Sequence, residues 1–132
     1  MPASKTHPGS SIDWLRHAHS DLALANAKKD DAILYETLCF HAQQAVEKAI
    51  KAVLIYKNCD IKRTHDIGLL LELLPKEIEK PEFASELPIL NDYAVSARYP
   101  GAYEEVDANE YEYAIKLAKD TILWAESLVA YS

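Results

Sequence analysis

Glycine, cysteine and arginine are all scarce in this 132-residue sequence, and each scarcity narrows the class of protein. The three glycines are too few for the many tight turns of an all-β fold. The two cysteines, Cys39 and Cys59, indicate reduced thiols and not a disulfide framework. The three arginines, Arg16, Arg63 and Arg98, leave few guanidinium groups for recognising an anion.

Long apolar runs are also missing. None approaches the roughly 20 residues that a membrane-spanning helix needs, and the first residues lack the apolar segment of a secretory leader. We therefore expect residues 1–10 to form a flexible lead, and the protein to be cytoplasmic with no membrane partner. The formal net charge of −7 disfavours broad binding to nucleic acid, which depends on Lys and Arg neutralising phosphates, but it leaves room for a local basic site.

The residues that are abundant favour helices. Apolar residues make up 49% of the chain, and Ala, Leu, Glu and Lys are frequent. This length suits one domain. The sequence predicts an all-α fold over residues 11–131, namely an antiparallel up-and-down bundle of four main helices plus one short helix.

Capping residues and apolar periodicity set the predicted helix bounds. The first helix begins at Ser11, with Ser10 or Ser11 as its N-cap, and ends at Lys28 and Lys29. The others are a second helix from Asp30 or Asp31 to about Lys57, a short buried helix at Asp66–Leu74, a fourth at Pro88–Ala97, and a last helix from an Asp107 cap to about Val129. Glu82–Leu87 is left open between a first turn of the fourth helix and a separate turn, and Arg98–Gly101 is predicted to be a turn because Tyr99 precedes Pro100.

The second helix has an apolar side and a polar side at 100° per residue. Phe40 and Leu54 are apolar residues at polar positions, which indicates a second packing surface. Gln43 and Glu47 also fall on the polar side, together with a stripe of four residues at spacings of three, four and three. This polar stripe consists of His41, Gln44, Lys48 and Lys51.

The polar stripe predicts an anion site. Two ammonium groups on one helix face repel each other unless an anion, a carboxylate or water screens them, and a phosphate suits them. The alternative is that Glu47 pairs with Lys51, so that the stripe is a solvated or dimer-facing surface. Three residues in turns extend the candidate nucleotide or phosphate site: His65, Arg98 and Tyr99.

Each of these turn residues also has a structural interpretation. His65 precedes a short helix, where it either caps the helix or bonds a backbone carbonyl. Arg98 either clamps a turn or binds an anion, and Tyr99 is able to stack on a base. His17 and His19 lie on different helix faces, as do Cys39 and His41, so we expect no metal site and no cofactor. Neither Cys39 nor Cys59 has an obvious base partner, and we expect no catalytic residue.

Several sequence motifs together resemble one known family. They are Trp14 with Asp21-Leu22-Ala23, the run from Cys39 to Ala52 (CFHAQQAVEKAIKA), Thr64-His65-Asp66-Ile67, Arg98-Tyr99-Pro100, and a late Trp124. In this order the chain resembles the HEPN domain family, named for higher eukaryotes and prokaryotes nucleotide-binding, over about residues 11–130. The resemblance implies a helical bundle that is usually dimeric and often sits beside a minimal nucleotidyltransferase in a toxin–antitoxin or related pair.

Many members of that family are metal-independent RNases, which carry an Arg, a short spacer and a His on a late helix. This sequence departs from the pattern. His17 and His19 lie too close to Arg16, His65 lies too close to Arg63, and no His follows Arg98. The resemblance is therefore to a non-RNase branch of the family.

From this resemblance we expect a dimeric binding or interaction module and not an enzyme. It binds a nucleotide or an RNA phosphate, or it partners a minimal nucleotidyltransferase in a toxin–antitoxin-like pair. The alternative is a metal-independent RNase with a rearranged site at the dimer interface, built from His65, Arg98 and Lys48. General acid–base cleavage needs two proton-transfer groups, which two copies of His65 supply.

Overall fold

The computed structural model describes residues 7–61, 63–94 and 105–129, and all of the regular structure in these ranges is helical. The elements are α1 (Ser11–Ala25), α2 (Tyr35–Tyr56), α3 (Ile67–Glu72), a 3-10 helix (Ala84–Ala94) and α4 (Ala108–Leu128). The predicted all-α bundle is confirmed. None of the helices in these ranges is both long and apolar enough to cross a membrane.

Side-chain caps begin three of the helices. The Ser10 hydroxyl accepts the Asp13 amide at 3.1 Å, which identifies Ser10 as the cap of α1. Asp66 caps α3, and Asp107 caps α4 by accepting the Glu110 amide at 2.8 Å. These bonds satisfy backbone N–H groups that have no partner within the helix.

We expect Asp107→Ala to lower the free energy of unfolding by about 0.5–2 kcal/mol, because the first turn of α4 loses its acceptor. Asn109→Ala, an exposed change in the same turn, is the matched control. Urea denaturation followed by circular dichroism measures both. Equal unfolding midpoints for the two variants would show that the cap contributes nothing.

The connection between α1 and α2 is longer than predicted. Helix α1 ends at Ala25, not at Lys28 and Lys29, and α2 begins at Tyr35, not at Asp30 or Asp31. The Asp30 carboxylate accepts the Ala32 amide at 2.7 Å. This local bond supports a turn in competition with the helix, which is why Asp30 does not start α2.

The predicted fourth helix is a 3-10 helix with a different beginning. It starts at Ala84, so Pro88 lies inside it and not at its first position. A 3-10 helix uses i→i+3 bonds, and a proline inside it removes one of them. The predicted end at Ala97 and the predicted Arg98–Gly101 turn lie outside the described residues.

Helix α2 is the centre of the bundle. It packs against α1, α4, α3 and the 3-10 helix, while α3 also packs against the 3-10 helix and α1 against α4. The antiparallel direction of α1 is visible in its contacts, since Trp14 lies against Lys51 and Asp21 bonds His41. Of the two apolar residues at polar positions, Leu54 is fully buried in the main core, whereas Phe40 is only half-buried.

Candidate functional site

The polar side of α2 is largely buried. Gln43 is inaccessible to solvent, and the exposed fractions of Glu47 and Lys51 are 2% and 6%. The polar side of an amphipathic helix ordinarily faces solvent, but these three side chains do not. Trp14 of α1 covers Lys51, whose Nζ lies 5.4 Å from the ring centroid, and His65 covers Glu47. The neighbours of α2 therefore extend over positions that a single-helix pattern assigns to water.

One buried carboxylate organises the first part of this surface. We call Glu47 and the three side chains that bond to it the Glu47 centre. Lys51 Nζ donates to Oε2 at 2.7 Å, and Gln43 Nε2 donates to Oε1 at 3.1 Å. The Nδ1 atom of His65 lies 2.9 Å from Oε1. The alternative pairing of Glu47 with Lys51 is confirmed, but the pair is buried and not solvated.

Glu47 is an ionised acceptor. Burial alone raises the pKa of this carboxyl, but the hydrogen bonds from Lys51 and His65 outweigh it and hold the pKa below its usual value. An ionised carboxylate only accepts hydrogen bonds, so the Nδ1 of His65 carries the proton in their contact. In the neutral ring Nε2 then carries no proton, and it belongs to a side chain that is 71% exposed.

The segment that carries His65 is held by its neighbours. The Thr64 hydroxyl accepts the Asp66 amide at 3.0 Å. Asn91 of the 3-10 helix accepts the Ile67 amide at 2.9 Å and donates to the Asp66 carboxylate at 3.2 Å. Asp66, and not His65, caps α3. Asn91 is not identifiable from the sequence as a partner of this segment, because nothing in the local pattern links it to residues 24 and 25 positions earlier in the chain.

A second carboxylate organises the other edge of the surface. Asp21 of α1 is buried, and with its two partners it forms the Asp21 centre. Lys48 Nζ donates to Oδ2 at 2.6 Å, and His41 Nδ1 lies 3.0 Å from Oδ1. Each centre thus joins one lysine of α2, one carboxylate and the Nδ1 of one histidine. The sequence signal for a buried role of Asp21 is its position, since this acidic residue lies within the apolar stripe of α1.

The two centres explain how the lysines of the polar stripe coexist. Each ammonium has its own carboxylate, so no bound phosphate is needed to balance Lys48 and Lys51. Gln44 donates to Gln43, a member of the Glu47 centre, at 2.7 Å. The structure brings the five described site residues, His41, Gln44, Lys48, Lys51 and His65, onto one surface along α2. Arg98 and Tyr99 lie outside the described residues.

The lowered pKa of Glu47 predicts a specific acid sensitivity. A carboxyl whose pKa is lower in the folded state than in the unfolded state stabilises the protein when the pH is above the unfolded-state pKa. This stabilisation is lost as the pH falls through the folded-state pKa. Between about pH 7 and pH 3, Glu47→Gln should therefore lose less stability than the wild type does. Urea denaturation at each pH measures this, with the exposed Glu82→Gln as control. Parallel pH profiles for Glu47→Gln and the wild type would contradict it.

Other parts of the described surface offer less chemistry. A shallow groove of about 400 Å³ runs between the end of α1 and α4, and its lining mixes Lys116 and Lys119 with Glu112 and Asp120. In residues 7–61, 63–94 and 105–129 no three His, Cys, Asp or Glu side chains cluster closely enough to hold a metal ion. The surface around the Glu47 and Asp21 centres is the stronger candidate.

Comparison with known proteins places the whole bundle in context. The model of the HEPN domain matches residues 11–128. A crystal structure of a protein from Thermus thermophilus is 29% identical, with a TM-score of 0.77 over 92% of this chain and 99% of that chain. An archaeal HEPN homologue of known crystal structure is 27% identical, with a TM-score of 0.68 over 89% of this chain and 96% of that chain. No curated protein sequence matches.

Proposed function

The chain belongs to the HEPN domain family, and from that premise we propose that it is a dimeric binding module that recognises the phosphate of a nucleotide or an RNA. We further propose that it works in the cytoplasm beside a minimal nucleotidyltransferase, as one half of a toxin–antitoxin-like pair. The absence of the Arg–spacer–His motif from the sequence supports binding over catalysis and a place in the non-RNase branch.

One observation carries the phosphate proposal, namely the exposed ring of His65 held by the buried Glu47. Lys51 already balances the charge of Glu47, since one ammonium faces one carboxylate. A proton gained by His65 therefore adds a positive charge to a side chain that is 71% exposed, and Nε2–H becomes a donor that does not face Glu47. Hydrogen bonds between charged donors and phosphate oxygens are short and strong.

Calorimetric titration with ATP, GTP and a short single-stranded RNA tests this proposal. We expect His65→Ala to weaken the binding of the preferred ligand by about 10-fold or more, the scale of one hydrogen bond to a charged group. Lys48→Ala and Arg98→Ala test the rest of the candidate site, and His17→Ala is the control for loss of an exposed histidine. Identical affinities of the His65→Ala and wild-type proteins for all three ligands would rule the site out.

The RNase alternative has one observation in its favour. A buried carboxylate that bonds the Nδ1 of an imidazole fixes the ring orientation that general acid–base catalysis requires, and a dimer supplies a second ring. Incubation with labelled RNA in the presence of a chelator distinguishes the two functions. Cleavage that disappears in His65→Ala favours the RNase, cleavage that persists excludes His65 as its base, and intact RNA favours the binding module.

A further inference from the structure

Four histidines of this chain differ in which ring nitrogen they present to solvent. His17 and His19 contact their acidic neighbours through Nε2, at 3.7 Å from Asp13 and 2.9 Å from Glu126. His41 and His65 use Nδ1. In these last two the Nε2 atom points away from the carboxylate.

Exposure separates His65 from His41. The side chain of His41 is only 27% exposed and its ring packs edge-on against Phe40, with the ring centroids 5.4 Å apart. The ring of His65 is 71% exposed. Of His17, His19, His41 and His65, only His65 joins a carboxylate-bound Nδ1 to a largely exposed ring.

We propose that the Nε2 atom of His65 is a nucleophile that accepts a phosphoryl group from a small acyl phosphate. The Nε2 lone pair attacks the phosphorus, an N–P bond forms, and the P–O bond to the acyl group breaks. The carboxylate leaves with the electron pair of that bond. The Nδ1 proton stays on the ring, and the positive charge that the ring gains faces Glu47 at 2.9 Å.

The Glu47 centre suits this reaction in two ways. Its carboxylate is fixed by Lys51 and Gln43, so it stabilises the charged ring without having to reorient. The charge of Lys51 offsets that of Glu47, so the Glu47 centre itself presents no net negative charge to an incoming phosphoryl group. A histidine beside an unpaired carboxylate would repel the same donor.

Incubation of the full chain with acetyl phosphate at neutral pH tests the proposal. Intact-mass spectrometry and ³¹P NMR should detect one acid-labile phosphoryl group, and peptide mapping in base should place it on His65. We expect His65 to react about 10-fold faster than His17, whose ring is 52% exposed. This factor is on the scale of the loss that follows when a carboxylate partner of a metal-bound histidine is removed. His65→Ala should slow formation of the adduct by about 10-fold, to the rate of the remaining histidines, while His17→Ala and His41→Ala should retain the wild-type rate.

Glu47→Gln separates nucleophilic activation from mere exposure. The amide oxygen still accepts the Nδ1 proton, but the negative charge is gone, so we expect phosphorylation to slow by about 10-fold. Equal rates for His65 and His17, or an unchanged rate in Glu47→Gln, would overturn the proposal. If circular dichroism shows that Glu47→Gln is unfolded, the comparison of His65 with His17 within the wild-type protein decides the matter alone.

Discussion

Lys51→Ala is expected to lower the free energy of unfolding by about 3–5 kcal/mol, since it leaves the carboxylate of Glu47 buried without its ammonium partner. Both members of this pair are almost inaccessible, with Nζ and Oε2 only 2.7 Å apart. Urea denaturation followed by circular dichroism measures the change.

Two controls define the origin of that loss. Lys116→Ala removes the ammonium of an exposed pair at the same i,i+4 spacing, 2.9 Å from Asp120, and should change stability by no more than about 0.5 kcal/mol. The double change Glu47→Met/Lys51→Met removes both buried charges and should recover most of the stability. A small effect of Lys51→Ala, close to that of Lys116→Ala, would mean that the Glu47 centre is open to water.

Leu54→Ala is expected to cost about 2–5 kcal/mol, because Leu54 is fully buried and its removal leaves a cavity in the core. The position falls on the polar side of α2 when the helix is considered alone. The size of the loss therefore reports directly on how this part of α2 packs into the core. Thermal and urea unfolding of the purified variant both measure it.

Leu123→Ala is the matched control, since that leucine is 65% exposed on α4. It should change the free energy of unfolding by no more than about 0.5 kcal/mol. If Leu54→Ala were as mild as Leu123→Ala, the part of α2 around Leu54 would have to face solvent.

The sequence predicted those features of the fold that depend on nearby residues. The caps at Ser10 and Asp107 and the periodic apolar stripes involve neighbours within one or two helical turns, so a single sequence contains the whole signal. The predicted start of α2 at Asp30 or Asp31 is wrong, because the Asp30 carboxylate supports a turn and does not cap the helix. The pattern predicts too late a start for the 3-10 helix, because an α-helix tolerates proline best at its first position and Pro88 instead lies inside the helix.

The candidate site was predictable only in part. The sequence identified the lysines and histidines of the polar stripe, because residues three and four apart share a helix face. It did not identify their carboxylate partners across the fold. Asp21 bonds Lys48 from 27 positions away, and His65 meets Glu47 across 18 positions. The burial of Glu47 and Lys51 likewise depends on helices that a single-helix pattern does not represent.

The most direct test of the account is the protonation state of the His65 ring. Long-range ¹H–¹⁵N correlation spectra of the imidazole groups show which ring nitrogen carries the proton in the neutral form. The contact with Glu47 predicts a proton on Nδ1 and a free lone pair on Nε2, with the preference weakened in Glu47→Ala. A proton on Nε2, and none on Nδ1, would contradict the Glu47 centre and the functions proposed for it.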